Sequence, residues 1–149
     1  MDSGLKYPTF NVKIKHEGKK ALVFDEVRKK WIVLTPEEWV RQHFINYIIT
    51  SKDFPTSLLS IEKEIELNGT KRRYDAVVFN TAMQPVLLVE CKSPDVALTE
   101  QTAEQALRYN LVMGVRYLVL TNGLQEIVID TFGNKLKYLP EIPMYKELV

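Results

Sequence analysis

The sequence predicts an α/β domain in which a mixed central sheet is flanked by helices and preceded by a small β-rich N-terminal extension. Three observations point to it. Between residues 58 and 92 the apolar stretches are short, rich in Val, Ile and Leu, and separated by turn residues, as strands are. Thr35-Pro36-Glu37-Glu38 opens a longer stretch with a Thr cap, Pro in the first turn and Glu three residues after the cap. A second long stretch, Thr99–Met113, separates two apolar strands, which allows a parallel crossover beside an otherwise antiparallel meander.

The elements follow in order. Phe10–Lys15 alternates as a short strand, "HEGKK" makes a turn, and "ALVF" and "WIVL" flank the charged "DEVRKK" as a second hairpin. The first helix runs through "WVRQHFINYII" to about Ser51. Leu58–Leu67 and Lys71–Phe79 are strands joined by Asn68-Gly69, a hairpin turn signal. Val86–Lys92 is the next strand, and Gly114 closes the second helix. Val115–Thr121 and Glu126–Phe132 are two further strands around "NGLQ". This divides a single domain into an extension over 1–34, a core over 35–132 and a tail over 133–149.

Composition sets the outer bounds. A chain of 149 residues fits one domain that buries roughly two thirds of its unfolded surface. A net charge of +1 provides no global basic field, so any nucleic-acid surface must be local. One cysteine excludes an internal disulfide framework. The sequence shows no signal-like N-terminus and no apolar run of membrane-spanning length, so the expected setting is cytoplasmic. It also lacks G-x-x-x-x-G-K-[ST], the phosphate loop of an ATPase.

The chemistry concentrates in "VLLVECKSPD", residues 86–95, where an apolar strand runs into Glu90 and Lys92. Two residues apart on a strand, they share a face. Charges at the end of a buried strand cost free energy unless something binds them. If Phe79 faces Val86 across the Asn80–Pro85 loop, Asp75 falls opposite Glu90, with Cβ atoms about 4.5–5.5 Å apart. Carboxylates that close repel unless a cation lies between them. Oxygen ligands suit Mg²⁺ or Mn²⁺, and Lys92 beside a metal-bound water is an arrangement for phosphodiester hydrolysis. An acidic-x-Lys triplet arises about once by chance in a chain of this length, and Glu17-Gly18-Lys19 is such a decoy in a turn. The bland alternative is a structural ion cluster at the sheet edge.

"RYDAVVF" followed by "PVLLVECKSP" resembles the PD-(D/E)xK nuclease superfamily, with Asp75, Glu90 and Lys92 as its signature. From "VRKKWIVLTPEEWVRQ" through "YLVLTNG", roughly Phe24 to Phe132, the chain resembles the N-terminal nuclease domain of the type I restriction endonuclease R (HsdR) subunit. The resemblance implies a restriction-endonuclease-like core and a Mg²⁺- or Mn²⁺-dependent DNA endonuclease. Its metal ligands would be Asp75, Glu90 and the backbone carbonyl of Cys91, and its auxiliary acid on the first helix would be Glu38. The family's Q-x-x-x-Y pattern matches Gln105 and Tyr109. Tyr74 stands where that superfamily usually has proline.

Each residue also has a simpler role. Glu38 sits at the capping-box position and shares a helical face with Arg41, Ile45 and Ile48. The Cys91 side chain points to the buried face, where its thiol packs. Arg72 and Arg73 are candidate phosphate contacts, with Arg108 beside the Gln105–Tyr109 stripe, although charges at a hairpin are usually solvated. Trp31 and Trp39 are expected in the core, and His16 and His43 have no partner spacing for a metal or triad. The expected partners are DNA and either a second copy of the chain or a DNA-bound subunit. The competing function is a non-catalytic nucleic-acid-binding or scaffold module that keeps the fold.

Overall fold

The computed structural model describes residues 4–149, so the first three residues of the extension lie outside the described residues. Strands β1 (Ile14–Glu17), β2 (Lys20–Asp25) and β3 (Lys30–Val33) form a small antiparallel sheet. The first strand starts later than its alternation predicts and runs on through His16 and Glu17, which pair with Ala21 and Lys20. Gly18, at φ 62°, provides the left-handed backbone that so tight a turn requires. In the next turn Asp25 Oδ1 accepts the N–H groups of Val27 (2.9 Å) and Arg28 (2.8 Å), a side-chain staple that favours Asp there.

Helix α1 (Pro36–Lys52) begins as predicted, with Thr35 Oγ1 accepting the Glu38 N–H at 3.0 Å, and ends at left-handed Asp53. A single 3-10 turn (Thr56–Leu58) leads into β4 (Leu59–Leu67) and β5 (Thr70–Phe79), joined by Asn68 and Gly69 at positive φ. After β6 (Pro85–Cys91) comes α2 (Glu100–Met113), capped by Thr99 and closed by Gly114. Strands β7 (Tyr117–Thr121), β8 (Glu126–Asp130) and β9 (Lys137–Leu139) precede a one-turn helix α3 (Tyr145–Leu148). The large sheet has the order β4-β5-β6-β7-β8-β9, and β6–β7, joined through α2, is its one parallel pair. β8 stops two residues short of prediction, where Asp130 turns its carboxylate to Arg116 and to the Phe132 N–H.

Residues on alternate faces of the sheet feed two cores. Ala76, Val78, Leu87, Val89 and Val119 pack under α1 against Val40, Phe44, Ile45 and Ile48. Val77, Leu88, Leu118, Leu120 and Ile129 pack under α2 against Ala103, Ala106, Leu107 and Met113. Both faces of β6 are therefore covered, and each fully buried aliphatic there contributes roughly 1.5–3 kcal/mol. That burial makes the charges that end β6 expensive to leave unpaired. The expected tail adds β9 to the sheet and sends Ile142 and Leu148 into the α1-side core. Trp31, expected in the core, instead lies 39% exposed on the small sheet, beside Phe24 and beneath the Lys15 ammonium. None of the described helices is long and apolar enough to cross a membrane.

Candidate active site

The register that brings Asp75 to Glu90 has an irregular start. A shift at Val78/Phe79 sets Phe79 against Pro85 rather than Val86, and beyond it the ladder runs Val78↔Leu87, Val77↔Leu88, Ala76↔Val89. That is the expected register, and the next residues along are Asp75 and Glu90. Their carboxylates turn to different partners. On β4 and β5 the alternation slips by one step: Leu59, Ile61, Ala76 and Val78 pack under α1, whereas Ile65, Leu67, Tyr74 and Val77 pack under α2. Glu62, at φ 50°, sits at the step, and it and Asp75 fall outside the ladder between Ile61↔Ala76 and Lys63↔Tyr74. Such a backbone costs on the order of 1–3 kcal/mol and persists only where its surroundings hold it. Here the Glu62 carboxylate is held by Arg28 (2.9 Å), Arg41 (3.4 Å) and Arg73 (3.7 Å).

Each signature carboxylate consequently has its own arginine. Asp75 Oδ1 accepts from Arg41 Nη1 at 2.7 Å, and its Oδ2 accepts the Cys91 N–H at 2.8 Å. Glu90 Oε1 pairs with Arg72 Nη2 at 2.6 Å. Burial pushes both carboxyls above their ordinary range, against the pull of the Cys91 N–H, Arg41 and Lys92 on Asp75 and of Arg72 and Lys92 on Glu90. The Asp75 charge raises Glu90 further, so the two carboxylates feel each other although each pairs with a different arginine. Lys92 acts on both, and its backbone N–H, bonded to Thr121 O at 2.8 Å, fixes it beside β7.

Glu38 does not face this site. It is 2% exposed, with Oε1 accepting from Arg41 (2.6 Å) and Arg28 (3.3 Å) and Oε2 from Arg41 (3.0 Å) and Gln42 (3.1 Å). Asp25 closes the cluster through Arg28 at 2.7 Å and Gln42 at 3.0 Å. Glu38, expected as the auxiliary acid, is thus tied into a buried ion cluster, and the first-turn acid left exposed is its neighbour Glu37. Burial and then the Asp75 charge raise the Glu37 carboxyl, while Lys92 and Arg41 pull it down. The capping spacing drew attention to Glu38, although the two first-turn acids point different ways around the helix.

On the α2 side a cavity of ≈ 100 Å³ brings together Arg72, Glu90, Lys92, Gln105 and Tyr109. The sequence-matched Gln105 and Tyr109 therefore meet the signature residues, and the Arg72 guanidinium lies 4.0 Å over the Tyr109 ring. Gln105, Arg108 and Tyr109 continue into a neighbouring open groove. Arg73, by contrast, is turned outward to Glu62. Arg41, Arg28, Asp25, Glu62 and Tyr74 carry site geometry that the sequence did not assign. Only Arg41, on the helical face of Glu38, left a signal that points to it.

The donor set fits a hard divalent ion. Asp75 and Glu90 offer carboxylate oxygens, and the buried Cys91, whose thiol burial pushes far up, has only its carbonyl to give. Among the described residues no three His, Cys, Asp or Glu side chains gather into a metal cage. A Mg²⁺-like ion, which keeps several waters, does not require one.

Residues 36–143 match the family described as "Type I restriction enzyme R protein N terminus (HSDR_N)". No curated protein matches the chain. Among solved structures, the chain is similar to a fragment of a protein assigned as an HsdR subunit of a type I restriction enzyme from Vibrio vulnificus YJ016. The TM-score is 0.56 at 17% identity, over 77% of this chain and 24% of that one. A protein assigned as a DUF820 nuclease from Anabaena variabilis ATCC 29413 superposes with a TM-score of 0.49 at 15% identity, over 85% of this chain and 80% of that one. The first likeness shows the fold, and the chain spans about a quarter (24%) of the length of that solved fragment.

Proposed function

The chain belongs to the family of type I restriction enzyme R protein N termini, and we propose that it is a nuclease domain that hydrolyses DNA phosphodiesters with the help of a divalent cation. The observation that carries this reading is Lys92. It acts electrostatically on Asp75 and Glu90 alike, yet those carboxylates have arginines of their own, which leaves its ammonium without an ion pair among the described residues. A structural counter-ion would be paired, whereas a cation kept for an incoming phosphate is not.

Asp75, Glu90 and the Cys91 carbonyl would hold Mg²⁺ or Mn²⁺, with Glu37, an exposed acid that Asp75 and Lys92 both act on, to assist. The ion, when bound, supplies Lewis acidity and a water of lowered pKa. Lys92 orients the attacking water and stabilises charge developing on the phosphate. Gln105, Tyr109, Arg72 and Arg108 line the path along which the DNA backbone would lie, with Arg73 at its rim. Dimerisation or a DNA-bound partner subunit would supply the grip that a net charge of +1 does not.

The test is cleavage of supercoiled, linear and single-stranded DNA by the purified chain in Mn²⁺ and in EDTA, alongside Glu90→Ala. Cleavage that needs Mn²⁺ and is lost in the variant supports the reading. A second reading, a non-catalytic nucleic-acid-binding module, is favoured by one observation: both carboxylates are already ion-paired, as they would be in a purely structural cluster. Mn²⁺ binding that is present in the wild type and lost in Glu90→Ala would exclude it.

A further inference from the structure

Among the described residues, three buried side-chain polar atoms have no hydrogen-bond partner: Arg72 Nη1, Tyr74 Oη and Asn110 Oδ1. Two of the three lie together: the Arg72 guanidinium lies 5.2 Å from the Tyr74 ring and 4.0 Å from that of Tyr109. Burial raises the Tyr74 phenol, and the Arg72 charge and its weak hydrogen bonding to that hydroxyl pull it back down. Donors buried without an acceptor are a standing cost to the fold. Here the cost accompanies a second one, because the positive-φ step at Glu62 is what carries Arg72 and Tyr74 to the α2 side at all. The small open cavity that Arg72 lines also holds Glu90, Lys92 and Gln105, so two cations and an amide converge where an anion could enter.

Resting on the nuclease reading above, we propose that Arg72 is a transferable anion clamp. It pairs with Glu90 while no cation is bound, and it passes to a non-bridging phosphate oxygen of the DNA backbone when a divalent cation takes Glu90. Its position suits the exchange. Stacking on Tyr109 and Tyr74 holds the guanidinium in place without Glu90, and the planar fork leaves Nη1 with no partner stronger than the neutral Tyr74 hydroxyl, which a charged acceptor would outcompete. A cation on Glu90 repels Arg72 and weakens their pairing, and a phosphate at Arg72 leaves Glu90 freer for the cation. The two ligands must then favour each other by the same factor.

The experiment reads binding rather than turnover. A labelled oligonucleotide duplex is titrated with the full chain by fluorescence anisotropy, in EDTA and in Ca²⁺ at constant ionic strength. Wild type is expected to bind roughly tenfold tighter with Ca²⁺, within the usual range of coupling between sites. Glu90→Gln, which frees Arg72, is expected to bind tighter in EDTA and to gain nothing from Ca²⁺. Arg72→Met is expected to cancel that gain when added to Glu90→Gln. Arg72→Lys, which keeps the charge without the fork, is expected to retain the melting temperature and lose most of the Ca²⁺ effect. A Glu90→Gln gain that survives Arg72→Met would be a general charge effect and would overturn the clamp. So would the absence of any gain in Glu90→Gln, which would leave water as the occupant of the cavity. Absence of Mn²⁺ binding by calorimetry would sink the metal reading separately, because the Glu90→Gln/Arg72→Met comparison in EDTA needs no metal.

Discussion

Arg41→Met removes the guanidinium that ties Asp75 to α1 while keeping a good helix former in its place. In the wild type this group is 7% exposed and donates to both Glu38 oxygens and to Asp75, with Glu62 at 3.4 Å. Without it, Glu38 retains Arg28 and Gln42, but Asp75 keeps only the Cys91 N–H. Deleting one partner of a buried pair costs roughly 3–5 kcal/mol, because the other charge stays behind. In a domain of this size each kcal/mol moves Tm by about 2–4 °C, so a fall of about 6–20 °C is expected by thermal or urea unfolding. The deficit should shrink in acid. The Asp75 carboxyl lies above its ordinary range in the fold, so the native state takes up its proton first, and folding gains from that proton as pH falls through the raised value. Once neutral, Asp75 no longer needs the guanidinium, and the two stability curves should converge as the pH falls into the acid range where that raised carboxyl takes up its proton. A loss below about 1 kcal/mol, or a deficit that stays constant over that pH range, would refute the assignment of Arg41 as the counter-ion of Asp75.

Other expectations separate the remaining roles. Mn²⁺ at about 100 times its Kd should stabilise the wild type by about 2.7 kcal/mol, and Asp75→Asn should abolish the rise in Tm; no rise at millimolar Mn²⁺ would count heavily against the metal site. Lys92→Ala should retain Mn²⁺ affinity by calorimetry while turnover falls on the order of 10²–10³-fold; a loss of affinity as severe as in Glu90→Ala would make Lys92 a structural counter-ion. Glu37→Gln should weaken Mn²⁺ binding with little change in Tm, and Glu38→Gln should do the reverse, a contrast that calorimetry and melting curves read directly. DNA binding by the chain alone should be weak and steeply salt-dependent, and fusion to an unrelated DNA-binding module should raise metal-dependent cleavage through effective concentration; tight sequence-specific binding by the isolated chain would contradict this.

The parts of the fold legible in the sequence are those in which one residue has one local job. Thr35 before Pro36, Asn68-Gly69 and Gly114 each act within a few residues of themselves, and each stands where its chemistry requires. β1 was less legible because alternation through "FNVKIK" does not say where pairing starts, and the Gly18 turn sets the register from the other end. β9 and α3 span three and four residues, too few for either period to register, and they owe their form to the sheet edge and the core they reach. Trp31 misled because size and hydrophobicity predict burial only where a face is covered.

The site divides along the same line. Glu90 and Lys92 were legible because β6 is a covered, regular strand whose period of two holds to its end, and Asp75 because the ladder beside it keeps one register from Val78 to Ala76. The arginines of the site were not. Strict alternation along β5 puts Arg72 and Tyr74 on the face of Ala76, under α1, and Glu90 on the other. Only the step at Glu62 brings them together, and nothing in "LSIEKEIEL" marks that residue for positive φ, where Gly, Asn or Asp would be the usual signal. What holds Glu62 there is tertiary: Arg28 from the small sheet, Arg41 from α1 and Arg73 from the neighbouring strand converge on its carboxylate. Arg41 is at the same time the partner of Asp75. The same ion cluster therefore does two things at once, turning Asp75 toward α1 and delivering Arg72 to Glu90. The small sheet helps build the site although it holds none of the signature residues, because without Arg28 the Glu62 step loses its closest support.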